Sequence, residues 1–479
     1  MHDAAAIATP SAHVQGRSDE HVERRPWTVL VLLAVAQFMV ILDVTVVNVA
    51  LPSIGRGLGF AAGDLQWVVT AYVLFTGGLM LLGGRLADLL GRPTVFGAGL
   101  AVFTTASLAS GLAWSPLALI VARAVQGIGA ALLLPSALSI VTTTYSGRQR
   151  AVALSVWGAL GSAGAAAGVL FGGILTTLLS WKWVFFINVP VGLVVGVLAT
   201  RVIVGTPRRA AKRDRLDLLG GLTLMAGLFS LVYAIQGTAT HAWTSAQTLV
   251  LLAVAAALLG AFAVAERRGR RPLVPPSIWR VRTLVSSAAV MLGATGILVG
   301  AFFLNTLYIQ QALGDSALEA GLAFLPLTLV ILGGAHVASR LLPRTGTRPV
   351  MAGGLAISAA GALLLSLAPD HAGYAADLLP GFLALGFGTG LTFVSVSVTA
   401  MADVGHEEAG LASGLMTTAH ELGAALGVAV LSAVAGGRIV DGYGDGFLVA
   451  AGIAAFLALV TAIAMPSVRP AAGASRAMH

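Results

Sequence analysis

Apolar residues in this chain gather into fourteen runs, each close to the length that crosses a bilayer as a helix, about 20 residues. The runs cover 27–50, 67–88, 94–113, 117–144, 151–179, 184–204, 216–236, 246–265, 284–307, 319–340, 349–368, 376–400, 410–435 and 447–466. Most charged residues fall in the short joints between runs or at the two ends of the chain. The most informative joint is GGRLADLLGR, residues 83–92, which sets two Arg and one Asp in a Gly-rich stretch between the second and third runs. Two helices joined so tightly must pack and slide against each other on one side of the bilayer. The pattern predicts an all-α polytopic membrane protein of fourteen spans.

Basic residues orient these spans. With the N-terminus in the cytoplasm, 24 of the 28 Lys and Arg fall in cytoplasmic segments. They run from Arg17, Arg24 and Arg25, through Arg148, Arg150, Arg201 and the linkers 207–215 and 267–271, to Arg469 and Arg476. Only Arg56, Lys182 and Arg438 fall on the other side, and Arg123 lies within a span. Basic loops face the cytoplasm, so both termini are expected there. The basic linkers read as orientation signals and contacts with anionic lipid.

A weak internal repeat is also visible. ASRLLPRTGTRP, residues 338–349, echoes GGRLADLLGRP: Arg340, Gly346 and Arg348 stand for Arg85, Gly91 and Arg92, and Pro343 takes the place of Asp88. Two related halves around a midplane site is the plan of a secondary transporter. The expected division is a disordered cytoplasmic N-terminus (1–26), a six-helix bundle (27–204), two additional helices with basic linkers (205–282), a second six-helix bundle (283–466) and a cytoplasmic tail (467–479).

Composition sharpens this picture. The chain of 479 residues is 57% hydrophobic and 10% charged, where a soluble domain carries about 25% charged residues. The 59 Gly suit helices that approach closely in lipid. With no Cys, disulfides, thiolate metal sites and thiol catalysis are excluded. No clustered His or carboxylates at metal-ligand spacing, no G-x-S-x-G and no G-x-x-x-x-G-K are present, which argues against an enzyme and against ATP-driven pumping. The formal charge of +8 is explained by the loops, so nucleic acid is not an expected partner.

Ionisable residues inside a membrane are functional candidates by default. Asp43 lies about 16 residues into the first span, about 24 Å up at the helical rise, in the half of the bilayer away from the N-terminus. Arg123 lies about six residues into a fourth span that runs the other way, at compatible depth. Glu421 lies about halfway along the thirteenth span, beside His420. A carboxyl group in a low-dielectric cavity is pushed towards its neutral form by burial and towards its charged form by a nearby Arg. Asp43 is therefore read as a proton carrier tuned by Arg123, or as half of a static ion pair; a pair that forms in one state and breaks in another is both. Glu421 is read as a second protonation site or a counter-charge for a cationic substrate, or as a neutral hydrogen-bonded group. Gln37, Asn48, Gln126, Phe302, Phe303, Asn305, Met416 and His420 complete the residues expected around a central cavity. In the loop, Asp88 and Arg92 are spaced to pair across one turn.

Several segments together resemble the major facilitator superfamily, in its fourteen-span drug:proton antiporter branch. They are the loop with Gly84, Arg85, Asp88, Gly91 and Arg92; LDVTVVNVALP (42–52); Arg123 followed by Gln126, Gly127, Gly129 and Ala131; and Gly164, Gly168, Gly172 and Gly173 of the fifth span. DLQWVVTAY (64–72) and SWKWVFFINVPVG (180–192) add to the likeness. Two positions depart from it. Val169 stands where the antiporter motif usually carries Pro, which predicts a straighter fifth helix, and Pro93 ends the loop motif in place of a further basic residue.

The resemblance implies two six-helix bundles plus two central helices, rocking by alternating access. It implies Asp43, Arg123 and Glu421 in proton coupling, the loop as a gate, and no cofactor, because the proton gradient supplies the energy. The implied function is export of small amphipathic or cationic organic compounds such as drugs or antibiotics, by a monomer in the cytoplasmic membrane of a bacterium. A dedicated exporter of one endogenous metabolite (antibiotic, siderophore or lipid) and a non-transporting ligand sensor stand as the alternatives.

Overall fold

The computed structural model describes residues 16–61, 63–145, 147–203, 218–238, 241–268, 277–369, 372–405, 408–436 and 441–469. The basic linker residues Arg208, Arg209, Lys212, Arg213, Arg215, Arg270 and Arg271, together with Arg438 and Arg476, lie outside the described residues. The helices are α1 Gly16–Leu58, α2 Trp67–Leu90, α3 Arg92–Gly111, α4 Pro116–Thr144, α5 Gly147–Leu178, α6 Trp183–Phe186, α7 Asn188–Val202, α8 Leu218–Gly237, α9 Ala246–Arg268, α10 Arg282–Gln311, α11 Ala317–Thr345, α12 Thr347–Ser366, α13 Leu379–Met401, α14 Ala409–Ala435 and α15 Tyr443–Ala464. Helices α6 and α7 together form one span, Trp183–Val202, and a π turn at Tyr374–Leu378 leads into α13. Thirteen described spans are long and apolar enough to cross a membrane; α5, whose apolar part is Ala163–Leu178, occupies the remaining place in the series. No strand occurs among the described residues.

Local signals set the boundaries. Ser115 caps α4 by accepting from the Ala118 backbone N–H, and Pro116 follows where a missing N–H does no harm. Ser316 and Glu319 form a reciprocal capping box at the start of α11. At the loop, Gly91 has φ 94° and both ends α2 and begins α3. Gly346, with φ 83°, does the same between α11 and α12. A residue with a side chain is strained at such φ values, so the tight turn needs Gly in both halves.

Two expectations need correction. Polar composition predicts disorder over 1–26, yet α1 is helical from Gly16. The apolar span behind it supplies the nucleus that a short isolated helix lacks. The first span also continues past residue 50 to Leu58, so Arg56 belongs to the helix and bonds Ser53.

Glycine contacts reveal the repeat more clearly than the loop motif does. A Cβ on Gly127 would meet the Tyr72 carbonyl, and one on Gly386 would meet the Leu327 carbonyl. Gly129 faces the Phe103 backbone, and Gly388 faces Gly354 and Ser358. Gly99 lies against Gly129 and Leu133, Gly354 against Gly388 and Thr392. The same three-helix packing is thus built twice, by α2, α3 and α4 and by α11, α12 and α13. A second pair of contacts is repeated as well. Gly164 and Gly168 of α5 face Ile41, Leu42 and Thr45 of α1, while Gly423 and Gly427 of α14 face Leu292 and Gly296 of α10.

The halves meet along two seams. On one, Gly173 of α5 faces Ala317 and Leu318 of α11, Gly321 faces the Val169 carbonyl, and the Leu318 N–H donates to Thr177 (3.2 Å). Nearby, the Gln310 side chain of α10 donates to the Val49 carbonyl of α1 at 2.8 Å. On the other seam, Gly77 of α2 faces Glu421 and Leu422 of α14. Helix α8 lies along α2 and α14. Gln236 donates to Thr70 at 3.1 Å, Met225 covers Gly78, and Trp67 packs on Phe229 and Tyr233. Helix α9 packs on α8, where Gly227 admits Leu259.

A Cβ at Gly427 would run into Gly296 backbone, which has no rotamer with which to yield. Gly427→Ala should therefore lower stability by at least about 2 kcal/mol, seen as a lower midpoint of thermal unfolding in detergent. Gly260 of α9 has open space around it, so Gly260→Ala should leave the midpoint unchanged or raise it, by no more than about 1 kcal/mol of helix propensity.

Candidate functional site

Asp43 and Arg123 are brought together. They are 0% and 1% exposed, and Arg123 Nη1 donates to Asp43 Oδ2. The second carboxylate oxygen, Oδ1, accepts from Gln126 Nε2 at 2.9 Å and from Asn188 Nδ2 at 2.7 Å. Arg123 is held in turn: Nε donates to the Val68 carbonyl at 3.0 Å, Nη1 donates to Gln126 Oε1 at 2.7 Å, and the guanidinium lies 4.1 Å from the centre of the Tyr72 ring. Asn188 also donates to Ser107 Oγ (3.0 Å), whose hydroxyl donates to the Phe185 carbonyl (2.9 Å).

This network ties α1, α2, α3, α4, α6 and α7 to one carboxylate. Three side-chain donors, from Arg123, Gln126 and Asn188, converge on Asp43. Both charges are satisfied, as burial in a low-dielectric interior demands.

The remaining candidates scatter. Gln126 is consumed by the ion-pair network. Glu421, 15% exposed, sits at the α2–α14 seam with His420 Nδ1 at 3.6 Å. Phe302 stacks on Phe324 (4.6 Å between ring centres), and Phe324 on Phe382. Phe303 and Met416 are core residues. Asn305 donates to its own helix at Ala301 and accepts from the Tyr443 hydroxyl at 2.7 Å. Gln37 and Asn48 are buried on α1, each with a side-chain carbonyl lacking a partner.

In the loop, Asp88 and Arg92 pair at 3.7 Å across the Gly91 turn, Arg92 half-buried and Asp88 exposed, and Arg85 is exposed. Gly83 and Gly84, lacking side chains, are expected to admit a helix of the other half. They instead face Ala131 and Pro135 of α4, in their own half, because α2 and α4 are neighbours within that bundle. The glycines of the fifth span are suited to close packing, expected across the central interface. Gly164, Gly168 and Gly172 pack on α1, and only Gly173 reaches α11. Helix α5 runs unbroken through Val169, which is buried.

Sequence reasoning missed Asn188, Ser107 and Tyr72. Asn188 carried a signal: it is an uncharged polar residue a few positions into the sixth span, at the same end of the bundle as Asp43 and Arg123. Asn188→Leu removes a donor from a buried carboxylate and from Ser107 Oγ, which keeps its bond to the Phe185 carbonyl. The expected loss is about 1.5–3 kcal/mol, measured by thermal unfolding in detergent. Asn188→Asp should be worse, because it sets a second carboxylate against the first.

The arrangement fits a known family. The family model described as Major Facilitator Superfamily matches residues 33–428. The puromycin resistance protein pur8 of Streptomyces alboniger is 41% identical over 480 residues, covering 96% of this chain and 94% of that protein. The cephamycin export protein CmcT of Amycolatopsis lactamdurans is 42% identical over 446 residues, 91% of each chain. A crystal structure of the peptide transporter POT in complex with sulfate covers 90% of this chain and 93% of that one with a TM-score of 0.68; at 15% identity this is a likeness of fold alone. With the repeated halves and the buried pair in place, the chain belongs to the Major Facilitator Superfamily and is a multi-pass protein of a bacterial cell membrane.

Proposed function

We propose that this chain exports small amphipathic or cationic organic molecules of the antibiotic kind from the cytoplasm in exchange for protons. The observation that carries the reading is the Asp43–Arg123 pair, fully withdrawn from water at the hub of the first half. Neutralising one partner of such a pair costs about 3–5 kcal/mol, because the other charge is left uncompensated in the interior. Protonating Asp43 therefore destabilises the closed arrangement by about that much, and Arg123 is driven to seek water or another partner. A proton falling through 100 mV supplies about 2.3 kcal/mol, the same order as that destabilisation. Proton arrival is thus matched to release of Arg123 and of the elements tied to the pair.

Exchange requires that proton and substrate compete. Glu421, partly exposed at the seam between halves, is the second carboxylate in this scheme, as a counter-charge or a second protonation site. The basic loops support cytoplasmic termini. The Gly91 turn, with Asp88 and Arg92 across it, is the proposed gate, and a monomer is the working unit. The relatives named for puromycin resistance and cephamycin export support the substrate class. Because each of those names carries a single antibiotic, a narrow exporter of one such compound is the second reading.

The experiment uses proteoliposomes with an imposed pH gradient and an entrapped pH dye, challenged with puromycin, cephamycin and lipophilic cations. A compound should collapse the gradient with wild-type protein and not with Asp43→Asn. Equal responses from the two proteins would make Asp43 structural. Response to one antibiotic alone would select the narrow exporter.

A further inference from the structure

The two intramembrane carboxylates are held differently. Asp43 is locked by three side-chain donors. Among the described residues Glu421 has no hydrogen-bond donor; its charge partner is His420, with Nδ1 3.6 Å from Oε1. That separation is within ion-pair reach and too long for a hydrogen bond. A carboxylate held so loosely can exchange one partner for another.

Geometry gives the pair a common gap. Neighbouring helix positions point about 100° apart. Glu421 lies against Gly77 of α2, where a Cβ would come within 2.7 Å of the Glu421 Cβ. His420 lies against Phe393 of α13, with ring centres 6.1 Å apart. The polar ends of His420 and Glu421 still meet, so both lean over the space between α2 and α13. The imidazole is 40% exposed at mid-span. Residues 411–435 of α14 include no exposed residue, and the helix is enclosed by α2, α8, α10 and α15. The space beside His420 is therefore internal and not lipid. Its walls are apolar, from Leu81 of α2, Leu292 of α10, Phe393 and Met416. The charged residues of the facing helices lie near helix ends: Arg85 and Asp88 on α2, Arg282 on α10 and Asp445 on α15, with none on α8 or α13. The phenols of these helices, Tyr72, Tyr233, Tyr308 and Tyr443, belong to a class that ordinarily titrates near pH 10.

We propose that Glu421, His420 and Phe393 form a cation subsite in which the His420 imidazolium is the resident counter-ion of Glu421, displaced with loss of its proton by the cationic group of an amphipathic substrate. This rests on the reading of the chain as a proton-coupled exporter of such compounds. The exchange balances. The arriving cation pairs with Glu421; the imidazolium, its partner gone, gives one N–H proton to water in the cleft; neutral imidazole remains. One cation has replaced another on one carboxylate, so the charge of the site is unchanged. When the cleft faces the other side of the membrane, a proton from that side recharges His420, which retakes Glu421 and expels the substrate. Proton and substrate thus compete for one carboxylate, as exchange requires. The Phe393 ring and the apolar walls favour a cation carried on an apolar body.

The test is equilibrium binding of radiolabelled tetraphenylphosphonium, whose own charge does not titrate, to purified protein in detergent. The range runs from about pH 8 to about pH 5, where imidazole changes charge. Wild-type affinity should fall with acid by about tenfold per pH unit at the steepest, the linkage for one proton released. His420→Gln should flatten this slope and bind the cation more tightly than wild type at the acid end, a gain that damage to the fold does not produce. Phe393→Leu should weaken binding at every pH and keep the slope. A wild-type slope retained in His420→Gln overturns the proposal and assigns the released proton to a carboxylate. Equal binding to wild type and to Glu421→Gln overturns it as well. Absence of binding to the wild type at every pH removes the cationic-substrate reading itself, and the proposal with it.

Discussion

The fold rests on close backbone approach at glycine. Between apolar helices in lipid there is little hydrophobic drive, because lipid tails are as apolar as leucine side chains. What remains is dispersion contact, which falls off steeply with distance. The pairs of helices that form each half meet where a Cβ would strike opposing backbone: Gly127 on Tyr72, Gly129 on Phe103, Gly386 on Leu327, Gly427 on Gly296. The same device is used between the halves at Gly173, Gly321 and Gly77. The placement of every functional side chain follows from it. Asp43 meets Arg123 because α1 and α4 are both drawn into a bundle that glycine makes tight, and Glu421 reaches the seam because Gly77 gives it room.

Much of this was legible in the sequence. The fourteen apolar runs agree with the helices to within a few residues at most ends, since burial in lipid makes each span continuously apolar and leaves its joints polar. The Gly91 turn was legible too, through Gly and Pro punctuation that has a backbone cause. Asp43 and Arg123 were legible because a charge in an apolar run has so few ways to be stable. The α1 ends were not, because a helix anchored by a long span extends into polar sequence that propensity alone would not hold. Direction of packing was also hidden. Gly83, Gly84 and the fifth-span glycines announce a close contact, but spacing along one helix cannot say which neighbour lies opposite. Uncharged Asn188 and Ser107 were overlooked because such groups are common in spans, and only the folded chain puts their donors on Asp43.

The repeat gives an internal control on the role of the ion pair. Phe382 stands four residues before Gly386 as Arg123 stands four before Gly127, and Leu327 occupies the place of Tyr72 against the following glycine helix. In the second half this position is filled by phenyl rings, Phe302 on Phe324 on Phe382. The same backbone packing is therefore achieved in one chain with an apolar centre and with a charged one. Replacing buried ion pairs by apolar groups is often neutral or stabilising, so folding does not demand the charges at Asp43 and Arg123. Their presence in one half only is a cost in desolvation that the fold itself shows how to avoid. A group that can gain or lose a proton is what the charged version adds, and that addition lies on the side of transport, not of architecture.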